Sequence, residues 1–245
     1  MNHLETGDRV KFALMGALLA LVLAGCPSVP NVDIDKNAAT QVKSIAILAI
    51  NPPRNVQVAN IGGAAGAFGA IGGLIQGSAT VDHSKQFVAV MNQRKTPLAE
   101  DLLAAIGQGL KDDGFAVSVV RDQKVKLAAD GKGDDYSDIH VEADAILSVW
   151  YAVVGYMSPP SSTHYLPWVV IKARLLDAKT KKDIYFKTFC VGYEMKVENA
   201  VMLPADEKYR YASFDDLMKH VDEAIAGLEN SQEIAAKRIG QDLKR

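Results

Sequence analysis

The sequence predicts an α/β (α+β) protein: a small mixed sheet with packed helices, followed by C-terminal helices. Three observations predict it. Between Val42 and Val120, short apolar runs rich in branched residues flank a segment of clean i, i+4 periodicity. Between Ala145 and Met195, three longer apolar runs are separated by turn residues. An amphipathic helical pattern then occupies the end of the chain.

Composition sets the outer limits. The 245 residues are 49% hydrophobic and 23% charged, a globular balance that excludes a wholly disordered chain. A net charge of −2 excludes a whole-surface nucleic-acid footprint, so no nucleic-acid partner is expected. Two cysteines exclude a disulfide-stapled scaffold.

Residues 1–25 read as an export signal rather than as part of the fold. Arg9 and Lys11 precede an uncharged run from Phe12 to Ala24 that is short for a membrane span of about 20 residues. The run ends in Leu23-Ala24-Gly25-Cys26. This resembles the bacterial lipobox, which implies a diacylglycerol thioether on Cys26, cleavage before it, and acylation of the new amino group. Several acyl chains anchor far more firmly than one. Pro27 is no clean sorting signal. The expected location is the cell envelope, lipid-anchored at the outer membrane and facing the periplasm, with the inner membrane as the alternative. Lipidation leaves Cys190 as the sole thiol, in a strand-like run that suits a buried, inert side chain.

Residues 26–41 are expected to form a lipidated tether. An α/β domain follows over 42–195, with a Gly-rich insertion at 55–81, and a helical region over 196–245. Val42–Ile50 reads as a buried strand stopped by Asn51-Pro52-Pro53. The insertion carries no charge, and seven of the seventeen residues in 61–77 are glycine. Gly62 and Gly66, and then Gly69, Gly73 and Gly77, recur at four-residue spacing. On a helix that spacing makes a flat stripe for close approach, but each glycine costs about 1 kcal/mol against alanine in water. Three readings stay open: a membrane-inserted or membrane-adsorbed segment, a mobile periplasmic loop, and a packed interface in an oligomer.

Phe87–Met91 reads as a short strand. Thr96 and Pro97 read as a cap and first helical residue, opening a helix whose stripe is Leu98, Leu102, Ile106 and Leu110. Gly114 suits its C-terminal turn, and Phe115–Val120 is a second strand. The polar stretch 121–142 reads as a solvated loop with short helices near Val125–Ala129 and Tyr136–Glu142. Counted from Asp130, it puts Lys132 and Asp135 where a calcium loop needs a ligand and a glycine. Ala145–Tyr156, Trp168–Leu176 and Asp183–Met195 form an antiparallel meander, with Lys172 and Arg174 on the face opposite Val169, Ile171, Ala173 and Leu175. Ser213 and Asp216 resemble a capping box. The helical pattern after it breaks near Gly227 or Asn230-Ser231. Lys237, Arg238, Lys244 and Arg245 give the end a basic character that suits a helix C-terminus.

The segments KSIAIL (Lys43–Leu48), TPLAEDLLAAIGQGLKDDGFAV (Thr96–Val117), ADAILSV (Ala143–Val149) and VVIKARLLDAKTKKDIYF (Val169–Phe186) together resemble envelope lipoproteins with the CsgG-type, TolB-N-terminal-like domain. That resemblance spans Lys43 to Tyr193. It implies an exported, lipid-anchored, non-enzymatic protein, since members secrete curli subunits through oligomeric pores or activate cell-wall synthases. The glycine run departs from the membrane hairpins of the pore-forming members.

No nucleophile elbow, zinc-protease helix or phosphate loop occurs. No catalytic residue, cofactor or metal is expected. The histidines are scattered, but His164 lies near Tyr156 and Trp168 in sequence, around a Pro-Ser loop. That aromatic cluster is a ligand or partner surface on one reading and ordinary packing on the other. The function expected is a lipid-anchored envelope protein in assembly or partner interaction, oligomeric, touching the membrane through the glycine segment. The alternative is a periplasmic binding module for a small ligand or cell-wall fragment.

Overall fold

A computed structural model describes residues 30–54, 56–60, 78–129, 133–159, 162–192, 197 and 199–244. Cys26 and the glycines at 62, 66, 69, 73 and 77 lie outside the described residues. Asn31–Arg245 forms one compact unit.

The apolar run Ser44–Leu48 is β1, and after the two prolines Val56–Asn60 is β2. Both pair in parallel with one long strand, β6 (Ala145–Ser158). β1 takes its first residues, Ile45 facing Ala145, and β2 its last, Val56 facing Val154. The two strands therefore lie end to end along β6, with the proline break between them. Gly155 permits the second joint: its φ is +154°, and a Cβ there would lie 2.7 Å from the Gln57 carbonyl carbon.

On the outer side of β1 lies β3 (Ala116–Val120), also parallel. Short strands β4 (Lys126–Leu127) and β5 (Asp134–Asp135) form a separate antiparallel pair. β7 (Leu166–Asp177) and β8 (Asp183–Val191) complete the antiparallel meander with β6, and β9 (Ala200–Leu203) adds parallel to β8. The seven-stranded mixed sheet runs β3-β1-β6-β7-β8-β9, with β2 beside β6. The meander turns where Asp177 Oδ1 accepts from the Lys179 and Thr180 amides and the Thr180 hydroxyl.

One face of the sheet is covered by helices. Short α1 is Lys36–Gln41, α2 is Ser78–Arg94 and α3 is Leu98–Asp112. The C-terminal pair are α4 (Phe214–Lys219) and α5 (Val221–Leu243). The α3 stripe of Leu98, Leu102, Leu103, Ile106 and Leu110 is buried against the inward residues of β1, β6 and β7 and against α5.

Several expectations are corrected. Phe87–Met91 is helix, because Phe87 and Met91 are buried one turn apart while Lys85, Gln86 and Ala89 are exposed. The 55–81 insertion is shorter than expected, since β2 and the start of α2 claim its ends. Pro97 is itself the cap of α3 and contributes no side-chain bond. The stretch 125–142 holds the β4–β5 pair and a turn (Ile139 N–H to Tyr136 O, 3.0 Å) in place of two helices. The tether is docked from Asn31 onward: Val32 exchanges backbone bonds of 2.7 and 2.9 Å with Phe186.

The C-terminal pattern breaks at His220, and α5 runs unbroken through Gly227 and Ser231. Ser213 Oγ accepts from the Asp216 amide while the Asp216 carboxylate takes the Ala212 amide, so the expected capping box forms one residue out of register. Gly227 faces the core because it has no side chain. A Cβ there would fall onto the Tyr156 hydroxyl and lie 2.8 Å from Tyr209 Cγ. Ser231 donates to the Gly227 carbonyl at 2.8 Å and stays within the helix. The basic end is paired internally: Arg238 to Asp242 at 2.8 Å and Lys244 to Asp113 at 3.2 Å.

Two glycines test this packing. Gly227→Ala should lower stability by about 1–3 kcal/mol through overpacking. Gly109→Ala, in α3 with nothing near its missing Cβ, should raise it by about 0.5–1 kcal/mol. Urea midpoints moving in opposite directions at unchanged m would confirm both.

Asp242 supplies a pH prediction. Burial alone would raise its carboxyl, but Arg238, Lys187 and the Tyr185 hydroxyl outweigh burial and hold it below the usual range. An unfolded aspartate titrates near about 3.9. The stabilisation is therefore complete above that value and lost as pH falls through the native one. Acid-limb stability should fall less steeply in Asp242→Asn than in the wild type.

Candidate functional site

The residues expected to share a surface are placed apart. Tyr156 is wholly buried on the helix face, edge-on to Phe87 and Tyr211, and its hydroxyl donates to the Ala224 carbonyl at 2.9 Å. Burial pushes that phenol far above its ordinary value. Trp168 sits on the opposite face, 5% exposed, among Ala59, Met157, Val170 and Cys190. His164 is half-buried beside Ser162, whose hydroxyl accepts its amide at 3.0 Å. Cys190 is buried.

The structure brings a different set together, at the proline break. Pro52 and Pro53 carry no N–H for a ladder, so the chain leaves the sheet between β1 and β2. The middle of β6 is left without a neighbour on that side, where its register with β7 also slips between Tyr151 and Val153. A cleft of about 370 Å³ opens there, lined by Asn51, Pro52, Pro53, Arg54, Trp150 and Tyr151 among others. A second hollow of about 360 Å³ adjoins it, sharing Asn51, Arg54, Asp134 and Trp150 and adding Arg121, Lys124 and Tyr136.

Behind the lining residues Trp150 and Tyr136 an arginine is held among rings. Arg174 Cζ lies 4.9 Å from the Phe186 ring, 5.9 Å from Tyr136 and 6.0 Å from Trp150. Its side chain is 15% exposed, and its guanidinium also meets Asp183 at 3.3 Å and Asp134 at 3.7 Å. Arg174 is thus committed to holding Trp150 and Tyr136 in place. Burial keeps the Tyr136 phenol above its ordinary value and so neutral. Arg121 is committed as well, through paired bonds of 2.8 Å to Glu100. Arg54 and Lys124 are exposed and make no ion pair or hydrogen bond among the described residues. Arg54 also lines a groove of about 310 Å³ between the proline break and the α2–α3 junction.

This arrangement offers an uncommitted cation beside a fixed indole and an interrupted strand. It suits a small anionic or ring-bearing ligand. The signals were present in the sequence as Pro52-Pro53-Arg54 and Trp150-Tyr151. Only the fold puts them side by side. Among the described residues, no cluster of three or more His, Cys, Asp or Glu could hold a metal, and no helix is long and apolar enough to cross a membrane.

No protein-family model matches the chain, and no curated protein matches it. Among solved structures, the chain is similar to a DUF330 protein from Xanthomonas campestris (TM-score 0.42, 12% identity, covering 88% of this chain and 86% of that one). It is similar to a PelC dodecamer from Paraburkholderia phytofirmans (TM-score 0.36, 10% identity, covering 89% and 96%). It is also similar to a lipoprotein from Neisseria meningitidis (TM-score 0.26, 15% identity, covering 75% and 97%). Likeness at this level carries no role over to the chain.

Proposed function

We propose that the chain is a lipid-anchored protein of the bacterial cell envelope, non-enzymatic, acting in assembly or partner interaction as a homo-oligomer. The observation that carries this reading is Leu23-Ala24-Gly25-Cys26 after a charged, then apolar leader. The ordered segments from Lys43 to Phe186, in the sequence order of the CsgG-type lipoproteins, support it. The docking of Asn31 and Val32 on β8 adds a geometric point. Five residue steps separate Cys26 from Asn31, about 18 Å of extended chain at most. A body tied that closely works at the bilayer surface rather than at a distance from it. On this reading the glycines at 62, 66, 69, 73 and 77 supply a membrane or subunit contact.

Intact mass of the membrane-extracted protein tests the anchor. The expected species begins at residue 26 and carries diacylglycerol and acyl mass. Cys26→Ser should retain the leader and carry no acyl mass. A mature protein starting elsewhere, without acyl mass, overturns the reading.

A second reading, a binding module for a small ligand or cell-wall fragment, is favoured by the cleft at the proline break. The chain has two tryptophans, so Trp168→Phe leaves Trp150 as the sole reporter beside Arg54. Titration with an acidic muropeptide should quench its emission. Arg54→Ala should weaken that binding about tenfold, roughly 1.4 kcal/mol. An emission unchanged up to millimolar ligand sinks this reading and leaves the first intact.

A further inference from the structure

Both edges of the sheet end on uncharged, apolar strands. β3 reads AVSVV and β9 reads AVML. Edge strands of soluble proteins are commonly guarded by charge, proline or a bulge. Neither strand carries a charged residue or a proline, and Val119 is 44% exposed. Ser118 is exposed beside it.

The backbone bonds show which groups face outward. Ala116 N–H donates to the Lys43 carbonyl and Ala49 N–H to the Val120 carbonyl, so the even residues of β3 serve β1. The N–H and C=O groups of Val117 and Val119 point away from the sheet and have no partner among the described residues. On β9, Gly192 N–H donates to the Leu203 carbonyl, so Val201 and Leu203 face β8 and the backbone of Met202 points outward.

We infer that β3 of one copy pairs in parallel with β9 of the next, joining sheets head to tail. This deepens the assembly reading and rests on it. Two features favour a second copy as the occupant. The edges match in length, five residues against four, and in neutral, apolar character. They also run in the same direction, because β3, β1, β6, β8 and β9 are parallel while β7 alone is reversed. A symmetric β3–β3 dimer would leave both β9 edges open. Head-to-tail pairing covers both kinds of edge, and a closed ring leaves none. The side chains agree as well. Val117 and Val119 share the helix face with their partners Ile45 and Ile47, as Val201 and Leu203 do with the main core, so the joint would extend that core.

The test uses the full-length, anchored protein in vesicles. Single-cysteine copies, Val119→Cys and Val201→Cys, are mixed and treated with a short bismaleimide. Cys190 is wholly buried and Cys26 is acylated on the reading above. Adducts between the two kinds of copy, and none within either kind alone, are expected. They should be lost when Val117→Pro is introduced in the Val119→Cys copy or Met202→Pro in the Val201→Cys copy, since each proline removes only an outward N–H. Ser118→Lys in the Val119→Cys copy is the second variant: it places a charge on the same edge at an exposed side chain and should abolish the adducts as well. Adducts between two Val119→Cys copies overturn the head-to-tail joint in favour of a symmetric one. Absence of any maleimide adduct, with amine-reactive cross-linking of the wild type still giving oligomers, overturns the edge joint and keeps assembly through another surface. A wild type that stays monomeric under both reagents overturns the joint and the assembly reading together.

Discussion

The chain's two adjacent prolines, Pro52 and Pro53, impose the constraint on which the rest depends. A fourteen-residue β6 needs a neighbour along its whole length, and no single strand can continue through a residue pair without N–H donors. The solution is two short strands in series, β1 and β2, with a gap between them. Gly155 then admits the β2 backbone, and Ser84 on α2 accepts the Val58 amide at 2.9 Å to hold that strand from the helix side. The gap becomes the cleft. A break in a ladder would ordinarily leave buried polar groups unpaired, a penalty of about 1–3 kcal/mol each. Here the break is open to solvent, so water can satisfy the exposed β6 backbone and a ligand could replace that water.

On the opposite face, the fold is fastened by tyrosine hydroxyls reaching from the sheet into the C-terminal helix. Tyr156 donates to the Ala224 carbonyl, Tyr151 shares its one proton between Gln232 Oε1 and the Leu98 carbonyl, and Tyr185 donates to Asp242. Each is a large apolar ring with one polar end, and each end finds a partner. Lys187 joins the last pair, 3.2 Å from Asp242 and 3.0 Å from Asp33. Apolar packing alone would tolerate a helix slid by part of a turn. These bonds fix one position, and Gly227 permits it by leaving room for Tyr156 and Tyr209. The C-terminal helices therefore share one core with the sheet.

Periodicity made β1, α3, β3 and the β6–β8 meander legible, because each buries one face over enough residues for the pattern to show. β2 and β9, at five and four residues, are too short to display alternation. The FVAVM stretch of α2 has strand-like local chemistry, and burial of Phe87 and Met91 one turn apart decides for helix. The site was less legible for a related reason. Arg54, Arg121 and Arg174 look alike in sequence, yet tertiary contacts commit two of them to carboxylates and rings and leave one open. Tyr156 and Trp168 are close in the sheet, Gly155 facing Trp168 across the ladder. The alternation of side chains nevertheless sends them to opposite faces.

On the proposed reading, anchor and edge bear on each other energetically. A single pair of short strands makes a small joint, and an isolated two-stranded pairing is marginal in water. Two-dimensional confinement changes that balance. On that reading, copies held within about 18 Å of one bilayer by the chain from Cys26 to Asn31 would lose most of their translational freedom before they meet. Their effective concentration rises, and a weak contact gains occupancy without any new interaction. The same unguarded edges would be a hazard in a freely diffusing protein, where strand addition has no preferred geometry. Anchoring at one point would keep the Asn31 end of every copy toward the same membrane. Parallel, head-to-tail addition preserves that common orientation. A two-fold axis in the membrane plane would turn one anchor away from the bilayer. On the proposed reading the lipid thus selects the symmetry as well as the location.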